Sequence, residues 1–118
     1  MTELYQTIKT YLTEHQLLVF LCLLKVFQTN SNKNISHSTI YRVYISLCHE
    51  YNIEPVFKRD LDTTLSKFET AGLISLNRST IRLLLNGVTP SDLLNAFLKD
   101  PALSKYQAFF FTSQQTLK

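Results

Sequence analysis

Residues 58–85 constrain this chain more than any other stretch. Leu61, Leu65 and Phe68 fall at i, i+4 and i+7, one face of a helix over 58–71. Gly72 follows where a left-handed residue ends a helix. Glycine is scarce, with only two in 118 residues, so each should mark a turn. Residues 73–76 and 80–85 then read as two strands. Asn77, Arg78 and Ser79 turn between them, which makes a tight hairpin.

The rest of the chain is helical in pattern. Leu4, Tyr5, Ile8 and Tyr11 have helical spacing, with Thr2 as a cap. Thr13 and Gln16 form a capping box, in which each side chain satisfies the other's orphan N–H. It opens a second helix that runs to about residue 28. Residues 17–24 (LLVFLCLL) are all apolar, and Lys25 ends the run. A membrane span needs about 20 such residues, so this is a helix buried on most sides. Residues 29–34 are a polar loop, and Ile35 suits a very short strand. From Ser38, the positions Ile40, Tyr41, Val43, Tyr44, Leu47 and Cys48 form an amphipathic helix to near Tyr51. Pro55 breaks helical structure in 52–57.

After the hairpin, Thr89 is an N-cap, Pro90 stands at the first helical position, and Asp92 reaches back. That helix should end near Lys99. Asp100-Pro101 interrupts it, and 102–111 is a last short helix or an extended tail. Hydrophobic residues make up 45% of the chain, enough for one core. We expect a single domain over 1–118, with its core in 13–100 and a C-terminal extension over 101–118. Residues 1–9 are too polar for a secretory signal. Cys22 and Cys48 lie in apolar helical patterns and read as buried, reduced thiols, with a disulfide as the lesser alternative.

The order is helix, short strand, helix, turn, helix, hairpin. A mostly α chain with a small antiparallel β-hairpin in this order is a winged helix-turn-helix. A helical bundle with an incidental hairpin is the competing fold.

Residues 39–76 resemble the C-terminal winged-helix domain of the origin-recognition and cell-division-cycle initiator ATPases. The family's "LY-x-x-Y-x-x-x-C" helix corresponds to Ile40-Tyr41, Tyr44 and Cys48. Its "x-P" turn corresponds to Glu54-Pro55, and its "L-x-x-x-G-L-I" helix end to Phe68, Gly72, Leu73 and Ile74. A downstream segment is similar at Val88, Asp92, Leu93, Ala96 and Leu98-Lys99-Asp100. The likeness extends over about 13–106 and falls mostly on core positions. No Walker motif is present, so the resemblance implies a C-terminal domain apart from its ATPase module. The family includes a yeast silent-information-regulator paralogue, in which this kind of domain self-associates in heterochromatin. The resemblance therefore implies a nuclear, chromatin-bound protein, with replication initiation and silencing as the two settings.

In a winged helix the third helix enters the major groove and the wing reaches the backbone. Candidate DNA contacts are Lys58, Arg59, Lys67, Arg78 and Arg82. Residues 58–70 also hold Asp60, Asp62 and Glu69, so the charge of that helix sums to zero. Acidic groups oppose phosphate contacts. The wing is shorter and less basic than the resemblance implies. A charge-mixed, solvated surface is the favoured reading, with weak backbone contact as the alternative.

Protein contact has stronger signals. Residues 106–111 (YQAFFF) are more aromatic than one face can bury, and aromatics are enriched at interface cores. Leu83, Leu84 and Leu85 put leucine on both faces of the hairpin. We therefore expect self-association, with Leu83, Leu84, Leu85, Tyr106, Phe109, Phe110 and Phe111 as the candidate interface. The alternative is that the tail closes over its own core. Expected partners are a second copy, chromatin proteins, and DNA through its backbone, but no membrane.

Catalysis has little support. His15, His37 and His49 have no second His or Cys at i+3 or i+4. Cys48 and His49 are adjacent and diverge, as do Asp60 and Asp62. Neither a metal site, a cofactor site nor a catalytic set is expected.

Overall fold

The computed structural model describes residues 2–29, 35–78, 80–85 and 87–112, with side chains over 5–28, 35–78, 80–85 and 87–110. The elements are α1 (Thr2–Tyr11), α2 (Glu14–Thr29), β1 (Ile35–Ser36), α3 (His37–Glu50), α4 (Lys58–Thr70), β2 (Ile74–Asn77), β3 (Thr80–Leu83), α5 (Pro90–Leu98), a 3-10 turn (Ser104–Tyr106) and α6 (Gln107–Thr112). The antiparallel sheet has the order β1-β3-β2, with Ile35 opposite Ile81 and Leu76 also opposite Ile81. The run from α2 to β3 is a winged helix.

Local chemistry sets the boundaries. Thr13 Oγ1 accepts the Gln16 N–H at 3.3 Å, and Gln16 Oε1 accepts the Thr13 N–H at 3.0 Å, the reciprocal box expected. At the end of α4 the Gly72 N–H donates to Glu69 C=O and the Leu73 N–H to Phe68 C=O, with Gly72 at φ +80°. That is a Schellman cap, and it requires the left-handed residue. The Leu73 N–H is thereby used, and β2 starts at Ile74 rather than Leu73. The expected second strand to Leu85 stops at Leu83. The Leu84 N–H still reaches Leu73 C=O at 2.9 Å, but no further pairing follows. The Thr89 hydroxyl accepts the Asp92 N–H at 3.0 Å, so the N-cap of α5 is formed by threonine.

α2 is the axis of the core and packs on α3 and α5. Residues 17–27 of it are all buried, including Lys25 at 2% exposure. The apolar run therefore does not end its buried face at the lysine. Burial pulls the Lys25 ammonium below the usual lysine range. Phe20 stacks edge-on to Phe68 at 5.4 Å and to Phe97 at 6.3 Å, joining α2 to α4 and α5. Cys22 and Cys48 are buried and free, and burial raises both thiols.

One apolar cluster runs from Ile8 to Phe110, so it extends past 13–100 at both ends. α1 is tied down by polar contacts as well. Asp100 Oδ2 accepts from Tyr5 Oη at 2.8 Å and pairs with Lys9 Nζ, while Asp100 Oδ1 takes the Ala102 N–H at 2.9 Å. The Lys9 bond and these N–H and O–H donors hold the Asp100 carboxyl down at about 2.

Candidate interaction surfaces

The turn between α3 and α4 is the most sharply built part of the surface. Asn52 adopts φ +55° beyond the end of α3. The Ile53 N–H returns to Cys48 C=O at 2.8 Å. The buried Tyr44 hydroxyl receives the Val56 N–H at 3.1 Å and lies 3.2 Å from His15 Nδ1. Burial pushes the Tyr44 phenol up to about 12, and its oxygen ties the turn to α3. A cleft of about 380 Å³ opens beside the turn, lined by Ile45, Cys48, His49, Asn52, Ile53, Glu54 and Pro55. Its lining is mixed: Ile45, Ile53 and Pro55 share it with His49, Asn52 and Glu54, the last three all exposed.

Phe57 follows the turn as the N-cap of α4, at φ −67° and ψ 157°, and makes no side-chain cap bond. It is 71% exposed, the most exposed large apolar side chain among the described residues. The Arg59 guanidinium lies 5.8 Å from its ring centroid.

The outward face of α4 is not basic. Lys58 and Arg59 are exposed, and so are Asp60, Asp62 and Glu69. Lys67 is withdrawn from this set. Its Nζ donates to Gln16 Oε1 at 2.9 Å and sits 4.6 Å from the Tyr11 ring centroid. Two exposed cations thus face three exposed carboxylates. Asp62 Oδ1 lies 3.5 Å from His37 Nδ1, and Glu69 Oε2 accepts the Leu76 N–H at 3.1 Å. The latter covers an outer edge of β2 that a further strand would need. In the wing, Arg78 stands at φ +58° and Arg82 pairs across from Ser75, both exposed. Lys58, Arg59, Arg78 and Arg82 have no ion pair among the described residues.

The expected protein interface separates into three groups. Tyr106, Phe109 and Phe110 pack into the chain's own core, with Phe110 fully buried. Tyr106 meets Tyr51 edge-on at 4.9 Å, and Phe109 meets Phe110 at 5.2 Å. The 3-10 turn followed by α6 provides the rotation that two faces could not, and the tail closes on its own domain. These three side chains are therefore not on the surface. Leu83 and Leu85 are half-buried against the core, and Leu84 is exposed at 43%. The Phe111 side chain lies outside the described residues.

The three histidines have separate surroundings: His15 at Tyr44, His37 at Asp62, and His49 on the cleft rim. Among the described residues no group of three or more His, Cys, Asp or Glu is gathered.

Phe57 and the cleft escaped the sequence reading for a physical reason. Phe57 lies four residues before Leu61, in phase with the buried face of α4, and periodicity alone would bury it. Its extended backbone places it outside the helix, and the ring leaves that face. The signal available was an aromatic in a Pro-containing turn between charged residues.

The family model described as "CDC6, C terminal winged helix domain" matches residues 7–86, more than half of the chain. No curated protein matches it.

Proposed function

The chain belongs to the family of CDC6 C-terminal winged helix domains, and from that membership we propose that it is a non-catalytic interaction domain that self-associates within a chromatin-bound nuclear protein. One observation carries this reading over DNA recognition. The exposed surface of α4 holds two cations against three carboxylates, with Lys67 drawn inward to Gln16 and Tyr11. The helix as a whole carries three cations and three carboxylates, so it offers phosphate no net attraction. Large apolar side chains do remain exposed, at Tyr11, Phe57 and Leu84. Phenylalanine and arginine are both enriched at protein interfaces, and Arg59 lies against the Phe57 ring.

Sedimentation equilibrium tests the reading. The chain is expected to show a reversible monomer–dimer equilibrium between about 10 µM and about 1 mM, the range of a small interface. A monomer mass throughout would overturn it.

The wing favours a second reading, weak contact with the DNA backbone. Arg78 and Arg82 are exposed and without an ion pair among the described residues. Affinity for a duplex would then fall with salt, and Arg78→Ala would reduce the slope by about 1. Binding that is absent at low salt excludes this reading.

A further inference from the structure

We propose that two copies of this chain associate through the α3–α4 turn, the Phe57 ring of each entering the cleft of the other, an assignment that rests on the self-association reading. Single exposed apolar residues are ordinary, and exposure alone would mean little. Four observations set Phe57 apart. It occupies a helix N-cap, where Ser, Thr, Asp or Asn would satisfy an orphan N–H, and it makes no such bond. It stands two residues beyond Pro55, which lines the cleft together with Ile45 and Ile53. It does not fill that cleft itself, because 71% of it faces solvent. The cleft, at about 380 Å³, is as large as small-ligand pockets, which start at about 300 Å³.

Charge identifies the occupant. Lys58 and Arg59 flank the ring, and Arg59 lies against it. The cleft rim carries Glu54, and Glu50 is exposed one turn away in α3. An exposed ring with Arg59 against it and a mixed cleft that carries Glu54 therefore lie close together on one surface. Such a surface is self-complementary: a two-fold axis between two copies sets each ring against the other's cleft, and each Arg59 against the other's Glu54. That is the isologous arrangement of a symmetric dimer. The Val56 N–H bond to Tyr44 fixes the turn before association, so little ordering is required.

Sedimentation equilibrium of the full chain and two variants tests this. Phe57→Ala is expected to raise the dimer dissociation constant about 30-fold, the effect of removing an aromatic anchor. Leu84→Asp tests the hairpin as the competing surface, and should leave the constant unchanged if the turn is the contact. Circular dichroism melting should show both variants folded. A wild-type dimer that Phe57→Ala leaves intact would overturn the assignment and keep self-association; dispersal by Leu84→Asp instead would move the interface to the hairpin. A wild-type chain that stays monomeric would overturn both and leave the cleft to another partner.

Discussion

The Tyr44 hydroxyl and the Val56 N–H, 3.1 Å apart, join the middle of α3 to the residue that precedes Phe57. With the Ile53 N–H bond to Cys48 C=O, this part-buried bond sets the direction in which the chain enters α4. Tyr44→Phe keeps the ring's packing and removes the acceptor. The Val56 N–H then loses its partner, at a cost of about 1–3 kcal/mol. Denaturant unfolding should show that loss with an unchanged slope. Dimer formation should also weaken, although Tyr44 itself is buried and touches no partner.

Phe110 gives the opposite kind of test. It lies in α6 and is fully buried in the core. Phe110→Ala should therefore destabilise the fold by about 3–5 kcal/mol, the usual cost of such a cavity. If it instead disperses a dimer while the melting temperature holds, the tail is an interface after all.

Asp100 gives the chain a defined acid sensitivity. Its carboxyl is held at about 2 by the Lys9 bond and by the Ala102 N–H and Tyr5 O–H donors, against 3.8 for a free group. A lowered folded-state value means stability that is fully present above about 4 and lost as pH falls towards 2. Thermal unfolding of the wild type should weaken across that interval. Asp100→Asn should start lower at neutral pH and respond less to acid. An identical acid slope in both would exclude the clamp on α1.

Gly72 tests the link between α4 and the wing. Its φ of +80° is a left-handed conformation, while no atom lies near the position of an added Cβ. Gly72→Ala should cost about 1–2 kcal/mol from backbone strain alone. Chemical denaturation measures it directly.

The helices and the wing were legible in the sequence because their signals are local. The Thr13–Gln16 box, the Gly72 cap and the Thr89-Pro90 start each act within a few residues. What local pattern could not decide was where side chains face once elements turn against each other. The aromatic run at 106–111 looked like surplus surface, but the 3-10 turn rotates Tyr106, Phe109 and Phe110 inward. Phe57 shares the phase of Leu61 and Leu65, but its extended backbone turns it outward. Lys67 counted among the cations of α4, yet Gln16, 51 residues away, holds its ammonium. Each of these depends on contacts between distant segments, which spacing does not encode.

The reciprocal contact at the α3–α4 turn is tested most directly by mixing two single variants. Glu54→Lys makes the cleft rim basic, and Arg59→Glu makes the ring's flank acidic. Each alone sets like charges together twice in a dimer, so each should sediment as a monomer where the wild type dimerises. Mixed in equal amounts, they restore opposite charges at both contacts. The account predicts that the mixture dimerises at low salt and that the dimer dissociates as salt rises. A mixture that stays monomeric, beside a wild-type dimer under the same conditions, would contradict it.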